Sequence, residues 1–146
     1  MISFRAITED NFDAIISMKR PDDEGFVASN AYSLAQAWLY RDNGDVYPFA
    51  IYHGDTPVGF MLLDEDAGER CLIIWRIMFP DEHRFKGYGT AAIRRIIDLA
   101  RDSGKYDFLL IDYDPKNAVA EHVYKKLGFR PTGVIEHGEI ELRLDL

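Results

Sequence analysis

The sequence has few of the residues that mark secreted, membrane or metal-binding proteins. A single cysteine, Cys71, cannot form an internal disulfide, and no Cys/His cluster has zinc-site spacing, so no metal is expected. No apolar run approaches the ~20 residues that span a bilayer. The first five residues also lack the layout of a signal peptide. These absences predict a cytoplasmic protein with no membrane partner.

Basic residues are scarce in the first half of the chain. Residues 1–70 contain five Lys/Arg and thirteen Asp/Glu, whereas residues 71–146 contain twelve of each. There is no sustained basic face, which argues against a nucleic-acid partner. The division favours a cationic ligand at the first half and an anionic ligand at the second. Solubility is the alternative explanation for the acidic half.

The length and the periodicities predict one α/β (α+β) domain over residues 1–146. The pattern reads strand, two helices, three strands, helix, strand, helix, two strands. A long apolar strand over residues 70–79, a helix over 91–101 and a strand over 107–113 form a crossover unit. Such a unit predicts that its two strands are parallel.

Three local patterns predict how individual elements pack. A helix from Ser29 or Asn30 to Tyr40 should bury one face, formed by Ala31, Leu34, Ala35 and Trp38. Spacing at i, i+3, i+4 and i+7 gives the next helix a core-facing stripe of Ile93, Ile96, Ile97 and Ala100. Pro48 predicts that its strand has a free edge or a bulge there.

Residues 84–90 are the strongest local indication of a ligand. Gly87 and Gly89 let the backbone approach a ligand closely, and the following helix offers free N–H groups and a positive dipole end. Arg84 and Lys86 add positive charge, so the segment predicts a phosphorylated small molecule. A tight turn without a ligand is the alternative. No Gly-Lys-Ser/Thr and no third glycine follow, which excludes a P-loop and the dinucleotide fingerprint.

Two motifs resemble the GNAT family of N-acetyltransferases. Arg84-x-x-Gly87-x-Gly89 after a long strand is similar to the family's acetyl-CoA loop. The segment from Asn117 to Phe129, with Ala120, Tyr124 and Gly128 inside it, is similar to the family's Asn-x-x-Ala…Tyr-x-x-x-Gly-Phe helix. The resemblance covers the whole chain in element order. It implies a GNAT fold with a mixed sheet of about seven strands, splayed between the fourth and fifth strands, and about four helices.

The resemblance also implies a reaction and the residues that bind its cofactor. Acetyl would pass from acetyl-CoA to a primary amine by direct attack in a ternary complex, with Tyr124 as the general acid toward the leaving thiolate. A backbone N–H where the central strand splays would polarise the thioester carbonyl. The predicted cofactor-binding residues are Ile77, Met78, Phe79, Arg84, Phe85, Lys86, Gly87, Tyr88, Gly89, Thr90, Asn117 and Tyr124. Asn117 has helix capping as its alternative or additional role.

A narrower resemblance concerns the acceptor. Two stretches, Phe26-Val27-Ala28-x-Asn30 and residues 72–78, resemble bacterial spermine/spermidine (diamine) acetyltransferases, which implies a small cationic polyamine. Residues 74–76 contain no carboxylate, so the glutamate base of some polyamine acetyltransferases is missing. Glu24 is the predicted base, with Asp112, Asp114 or a solvent channel as alternatives. The predicted substrate-binding residues are Glu24, Trp75, Tyr113 and Asp114.

Other functions stay open at this stage. The acceptor could instead be an aminoglycoside, a protein N-terminus or a lysine, or the chain could be a non-catalytic acyl-CoA-binding module. The oligomeric state is open, with a homodimer as one alternative. The four histidines, His53, His83, His122 and His137, show no metal spacing and are interpreted as surface or loop residues.

Overall fold

The computed structural model describes residues 1–20 and 28–146. Its strands are β1 (Ile2–Arg5), β2 (Val46–His53), β3 (Thr56–Asp66), β4 (Cys71–Met78), β5 (Phe108–Tyr113), β6 (Arg130–Glu136) and β7 (Glu139–Asp145). Its helices are α1 (Phe12–Ile16), α2 (Asn30–Leu39), α3 (Tyr88–Ser103) and α4 (Ala118–Lys126). Within the described ranges, no helix is both long enough and apolar enough to cross a membrane.

The seven strands form one mixed sheet in the order β1-β2-β3-β4-β5-β7-β6. β4 and β5 are parallel, and every other neighbouring pair is antiparallel. The parallel pair is joined by α3, as the crossover pattern predicts. The predicted seven-stranded mixed sheet is therefore confirmed.

The parallel pair separates part-way along its length. β4 and β5 pair only from Cys71 with Phe108 to Ile74 with Ile111. β4 then continues to Met78 and β5 to Tyr113 without pairing to each other. The predicted splay between the fourth and fifth strands is thus present. Beyond Ile74, the edge of β4 that faces β5 has no pairing with β5.

A β-bulge in β4 lies at the start of this opening. On the β3 side, Leu62 pairs with Arg76 and Leu63 with Ile74, so Trp75 is the extra residue. A bulge interrupts the alternation of side chains along a strand. Ile74 and Ile77 accordingly pack with the core cluster on the α3 side, while Trp75 and Met78 pack with the cluster on the other face.

Helices cover both faces of the sheet. The predicted stripe of α3 is confirmed, because its four members, Ile93, Ile96, Ile97 and Ala100, are all buried in the larger core cluster. The smaller cluster, on the opposite face, includes Ile15 of α1 and Phe60 of β3, with Leu34 and Ala37 of α2 packed against it. The two clusters place a layer of helix on each side of the sheet, as in other α/β domains.

The predicted inner face of α2 is wrong for three of its four residues, and only Leu34 of the four packs against the core. Trp38 is 66% exposed, and Ala31 and Ala35 are also exposed, whereas Asn30 and Ser33 are buried. The Asn30 amide nitrogen and the Ser33 hydroxyl have hydrogen-bond partners, which offset part of the desolvation of these side chains. Asn30 Nδ2 donates to the Ile15 carbonyl at 2.9 Å. Counting only apolar residues misses a face whose burial depends on hydrogen bonds.

Pro48 occupies a free edge, as predicted. It pairs with Leu62 of β3, but β1 pairs only with residues 50–53 of β2 and does not reach it. The missing N–H of the proline therefore removes no hydrogen bond between β1 and β2.

Candidate active site

The gap between β4 and β5 opens into a cleft of about 640 Å³. Its α3–α4 side is formed by the loop before α3, the first turn of α3, and α4. Its α2 side contains Trp75 and Arg76 of β4, Asp112 of β5 and Glu139 of β7, together with Arg20 and Ala28.

The loop before α3 brings two glycines and the N-terminus of the helix to the α3–α4 side. Gly87 is the N-cap of α3, with a φ of 81°, and it provides no side chain that caps the helix. The first turn of an α-helix has N–H groups without intrahelical partners. Gly87, Tyr88, Gly89 and Thr90 all line the cleft at this turn. The arrangement has the uncapped, positive helix end that binds phosphate.

Two basic residues of this loop differ in position. Arg84 lines the cleft, and its Nη1 lies 3.0 Å from Asp81 Oδ1, with the guanidinium 4.9 Å from the ring of the exposed Phe85. Lys86 is exposed and is not among the residues of the lining. Arg84 therefore lines the cleft while it is paired with Asp81.

α4 contributes the predicted asparagine and tyrosine. Asn117 caps the helix, because its Oδ1 accepts a hydrogen bond from the Ala120 N–H at 3.2 Å, and it also lines the cleft. Tyr124 lines the cleft with its ring centroid 6.2 Å from that of Phe129. Burial raises the pKa of the Tyr124 hydroxyl to about 12. Tyr124 is therefore protonated at neutral pH.

The α2 side contains a group of carboxylates that titrate unusually. Ile111 and Tyr113 pack into the core on the α3 side, so Asp112 between them faces the opposite side. Burial, followed by the negative charges of Glu141, Glu139 and Glu136, raises the pKa of Asp112 to about 6.

Glu139 belongs to the same group. Its pKa is raised by burial and by the nearby Asp114, although Arg76 and His137 act in the opposite direction. Asp112, Asp114 and Glu139 all line the cleft. The α2 side can therefore receive an ammonium group, and Asp112 can change its charge near neutral pH.

Arg76 lies beside these carboxylates. Its Nη1 donates to Ser33 Oγ at 3.2 Å and to Gln36 Oε1, and the guanidinium lies 4.8 Å from the ring of Trp75. Burial lowers the pKa of the guanidinium. Arg76 is thus a desolvated cation held against α2 at the edge of the cleft.

Most predicted site residues meet in this one cleft. All predicted cofactor residues except Lys86 line it, as do the predicted acceptor residues Trp75, Tyr113 and Asp114. Tyr113 is only 5% exposed, so most of its ring packs in the core. Glu24 lies outside the described residues, as do Phe26 and Val27.

Sequence reasoning missed several residues of the lining, namely Arg20, Arg76, His83 and Glu139. His83 was expected at the surface or in a loop; it is half-buried in a short 3-10 turn, with its ring 6.2 Å from that of Tyr88. The acetyl-CoA motif beside it does not specify His83. Glu139 reaches Asp112 only through the β5–β7 pairing, which no local pattern encodes.

Comparison with known proteins decides the family. The family model described as "Acetyltransferase (GNAT) family" matches residues 12–129, which include the glycine loop, the splayed strands and α4. The chain belongs to the GNAT family of acetyltransferases. The family predicted from the two motifs is thus confirmed.

The relatives of this GNAT protein differ in what they act on. Spermidine N-acetyltransferase from Vibrio cholerae, solved with CoA and spermine, superposes with a TM-score of 0.79 at 16% identity, covering 99% of this chain and 95% of that one. An aminoglycoside acetyltransferase solved with coenzyme A gives the same TM-score, identity and coverage. Human N-acetyltransferase 8B is 31% identical over 77 residues, which are 52% of this chain and 34% of that protein. The match to the human relative therefore spans about a third of that protein's length.

Proposed function

We propose that this GNAT protein transfers an acetyl group from acetyl-CoA to the primary amine of a small acceptor. One observation supports this most strongly: the uncapped N-terminus of α3 opens onto the same cleft as the diverging strands β4 and β5. A cofactor with its phosphates at the helix end has an open strand edge beside it for its acyl arm.

The donor would be bound mainly by backbone groups. The N–H groups of residues 87–90 would bind the pyrophosphate, with Arg84 adding positive charge. Beyond Ile74, β5 no longer pairs with the edge of β4, so that edge would offer an N–H near Ile77 to Phe79. Such a donor can stabilise the oxyanion that develops on the thioester carbonyl, an effect of about 3 kcal/mol.

The transfer moves one acyl group and one proton. The neutral amine nitrogen attacks the thioester carbon, a C–N bond forms, the C–S bond breaks, and the thiolate receives a proton. Tyr124 is the proposed proton donor, since it lies on the α3–α4 side and stays protonated at neutral pH. The proton lost by the amine passes to a carboxylate or to water.

Asp112 is the described carboxylate best suited to accept that proton. With a pKa of about 6 it is largely ionised at pH 7, and this pKa is close enough to pH 7 for ready proton exchange. Glu24 stays a predicted base, and Asp114 lines the same part of the cleft.

A small polyamine or diamine is the proposed first acceptor to test. The carboxylates of Asp112, Asp114 and Glu139 on the α2 side support an ammonium-bearing acceptor. The fold likeness to spermidine N-acetyltransferase is compatible with this choice. The equal likeness to an aminoglycoside acetyltransferase is compatible with an aminoglycoside as a second candidate acceptor. Arg76, on the same side, adds a positive charge for which a polyamine has no complementary anionic group. A homodimer and a cytoplasmic location remain predictions.

A thiol-release assay tests the proposal. The protein is incubated with acetyl-CoA and, separately, spermidine, spermine, putrescine, an aminoglycoside or a basic peptide, and CoA release is followed together with the acetylated product. Amine-dependent release is expected for at least one acceptor. If the protein binds CoA but acetylates none of these amines and no free amino acid, it is a non-catalytic acyl-CoA-binding module instead.

A further inference from the structure

Arg76 brings a positive charge to the side of the cleft where the acceptor would bind. It belongs to β4 immediately after the bulge at Trp75, and it lines the cleft together with Asp112 and Glu139. A purely cationic acceptor would approach this guanidinium at the cost of like-charge repulsion and of water removed from a half-buried cation. An acceptor with an anionic group would avoid both costs.

The guanidinium is held so that one edge stays available. Ser33 Oγ and Gln36 Oε1 both accept from Nη1, and the rings of Trp75 and Tyr32 lie 4.8 Å and 5.5 Å from the guanidinium carbon. Among the described residues, no partner lies on Nε or Nη2, and no carboxylate is within ion-pair distance of Arg76. The Nε–Nη2 edge is one of the faces through which arginine binds a carboxylate with two parallel hydrogen bonds.

Charges of both signs therefore line the same side of the cleft. Arg76 offers two or three N–H donors to an anion, while Asp112, Asp114 and Glu139 offer acceptors to an ammonium group. A zwitterionic amine, with one group of each kind, would satisfy both sets. A polyamine would satisfy only the carboxylates.

We propose that Arg76 is a specificity-determining residue that selects acceptors with a carboxylate beside the amine, so that the acceptor is an amino acid or a similar zwitterionic amine. The carboxylate binds the Nε–Nη2 edge of Arg76, and the amine lies toward Asp112 and the open edge of β4. This inference rests on the proposed acetyl transfer and narrows its acceptor class.

Pairs of acceptors that differ only in a carboxylate test the inference. Suitable pairs are lysine with 1,5-diaminopentane, arginine with agmatine, and phenylalanine with phenethylamine, each assayed for acetyl-CoA-dependent acetylation. The native protein should favour the carboxylate member by at least about tenfold in kcat/KM. Arg76→Gln should lower that value by about 10- to 100-fold, mainly through KM, and leave the decarboxylated member nearly unchanged, since it removes hydrogen bonds to a charged group.

Further variants separate recognition from a structural role. Arg76→Lys keeps the charge but loses the two-pronged edge, so an intermediate loss is expected. Gln36→Ala keeps Arg76 but removes one of its restraints, and a several-fold rise in KM for the carboxylate member is expected. Arg101→Gln, a matched charge change on the exposed end of α3, should alter neither member of a pair. Circular dichroism and CoA affinity report whether each variant is folded.

Each unfavourable result has a distinct meaning. A native preference for the decarboxylated amines, or an equal loss on both members in Arg76→Gln, would overturn the role of Arg76 while leaving acetyl transfer intact. If Arg76→Gln does not fold, the preference of the native protein and the Gln36→Ala result decide the matter. If no member of any pair is acetylated although CoA binds, the acetyl transfer is wrong and the inference fails with it.

Discussion

The two sides of the cleft differ in the part of the chain that builds them. The α3–α4 side comes largely from one continuous segment, residues 84–90, which includes the backbone N–H groups at the start of α3, with the capped N-terminus of α4 beside it. The α2 side consists of side chains from separate elements, among them Arg76 of β4, Asp112 of β5 and Glu139 of β7. A backbone site can serve one fixed cofactor, whereas a side-chain site can change its ligand by single substitutions.

The distribution of charge shows the same contrast. The described carboxylates that line the cleft, Asp112, Asp114 and Glu139, all belong to the second half of the chain, although the excess of acid lies in the first half. The prediction of a cationic ligand from the half-chain charge count therefore does not rest on these residues. The positions of charged side chains in the fold, rather than the net charge of each half of the chain, determine the electrostatic potential at the α2 side.

Removing the Tyr124 hydroxyl should have the largest effect on the α3–α4 side. Tyr124→Phe is expected to lower kcat by about 100-fold or more, because the thiolate loses its proton donor. The KM for acetyl-CoA should change little, since the ring still packs near Phe129. Steady-state thiol release at saturating acetyl-CoA measures the change. An unchanged kcat at every pH would remove Tyr124 from the mechanism.

A negative charge at Gly89 should weaken cofactor binding without destabilising the fold. A Cβ at Gly89 would lie 3.7 Å from the ring of Phe79, an ordinary contact, so the backbone tolerates a side chain. Gly89→Asp places a carboxylate where the phosphates would bind, and CoA affinity should fall about 100-fold by calorimetry. The same carboxylate favours the helix dipole, so the free energy of unfolding should hold or rise slightly.

Gly89→Ala is the matched control for this charge. It should raise stability by up to about 1 kcal/mol, because alanine is the better helix former, and it should leave most of the CoA affinity. A loss of affinity as large as that of Gly89→Asp would mean that glycine itself, rather than the absence of negative charge, is required.

The α3–α4 side could be predicted from sequence because its information is local. Gly87 takes a left-handed φ of 81° that glycine adopts readily, and Asn117 caps the next helix, so both leave a residue-type signal at a fixed spacing. The periodicity of hydrophobic residues along the sequence similarly determines the order of strands and helices and the buried stripe of α3.

The α2 side was predicted less completely, because its geometry depends on distant pairing. The bulge at Trp75 is what shifts the following side chains of β4, and the β5–β7 register is what brings Glu139 near Asp112. The wrong face of α2 has the same origin, since Asn30 and Ser33 are buried through bonds to α1 and β4. None of these contacts has a periodic sequence signature.

Neutralising Asp112 should alter the α2 side in a pH-dependent way. If the ionised carboxylate acts on the amine, native kcat/KM should fall as the pH drops below about 6, where Asp112 becomes protonated. Asp112→Asn should lower kcat/KM about tenfold at pH 7 and should lose this acidic limb. A pH series of both proteins with one amine acceptor measures it; an identical limb in the variant would assign the titration to another group.

The same substitution should affect stability in the opposite direction. The pKa of Asp112 is higher in the folded state, about 6, than its ordinary value of 3.8. The folded protein therefore binds more protons between these pH values, and stability decreases as the pH rises through this window. That loss is nearly complete about one pH unit above the folded-state pKa, so Asp112→Asn should be more stable than the native protein at pH 7 and equal to it well below pH 4. Urea unfolding at the two pH values checks the sign.

The smallest expected effects come from the two helix caps, one on each side of the cleft. Asn117 Oδ1 accepts from the Ala120 N–H, and Ser29 Oγ accepts from the Tyr32 N–H at 3.1 Å. Asn117→Ala and Ser29→Ala should each lower the free energy of unfolding by about 1 kcal/mol, because each removes one cap. Only Asn117 lines the cleft, so only its variant should also weaken CoA binding, by a few-fold. Equal CoA affinities in the two variants would restrict Asn117 to capping. Of the two predicted cofactor-binding residues in this segment, only Tyr124 would then remain.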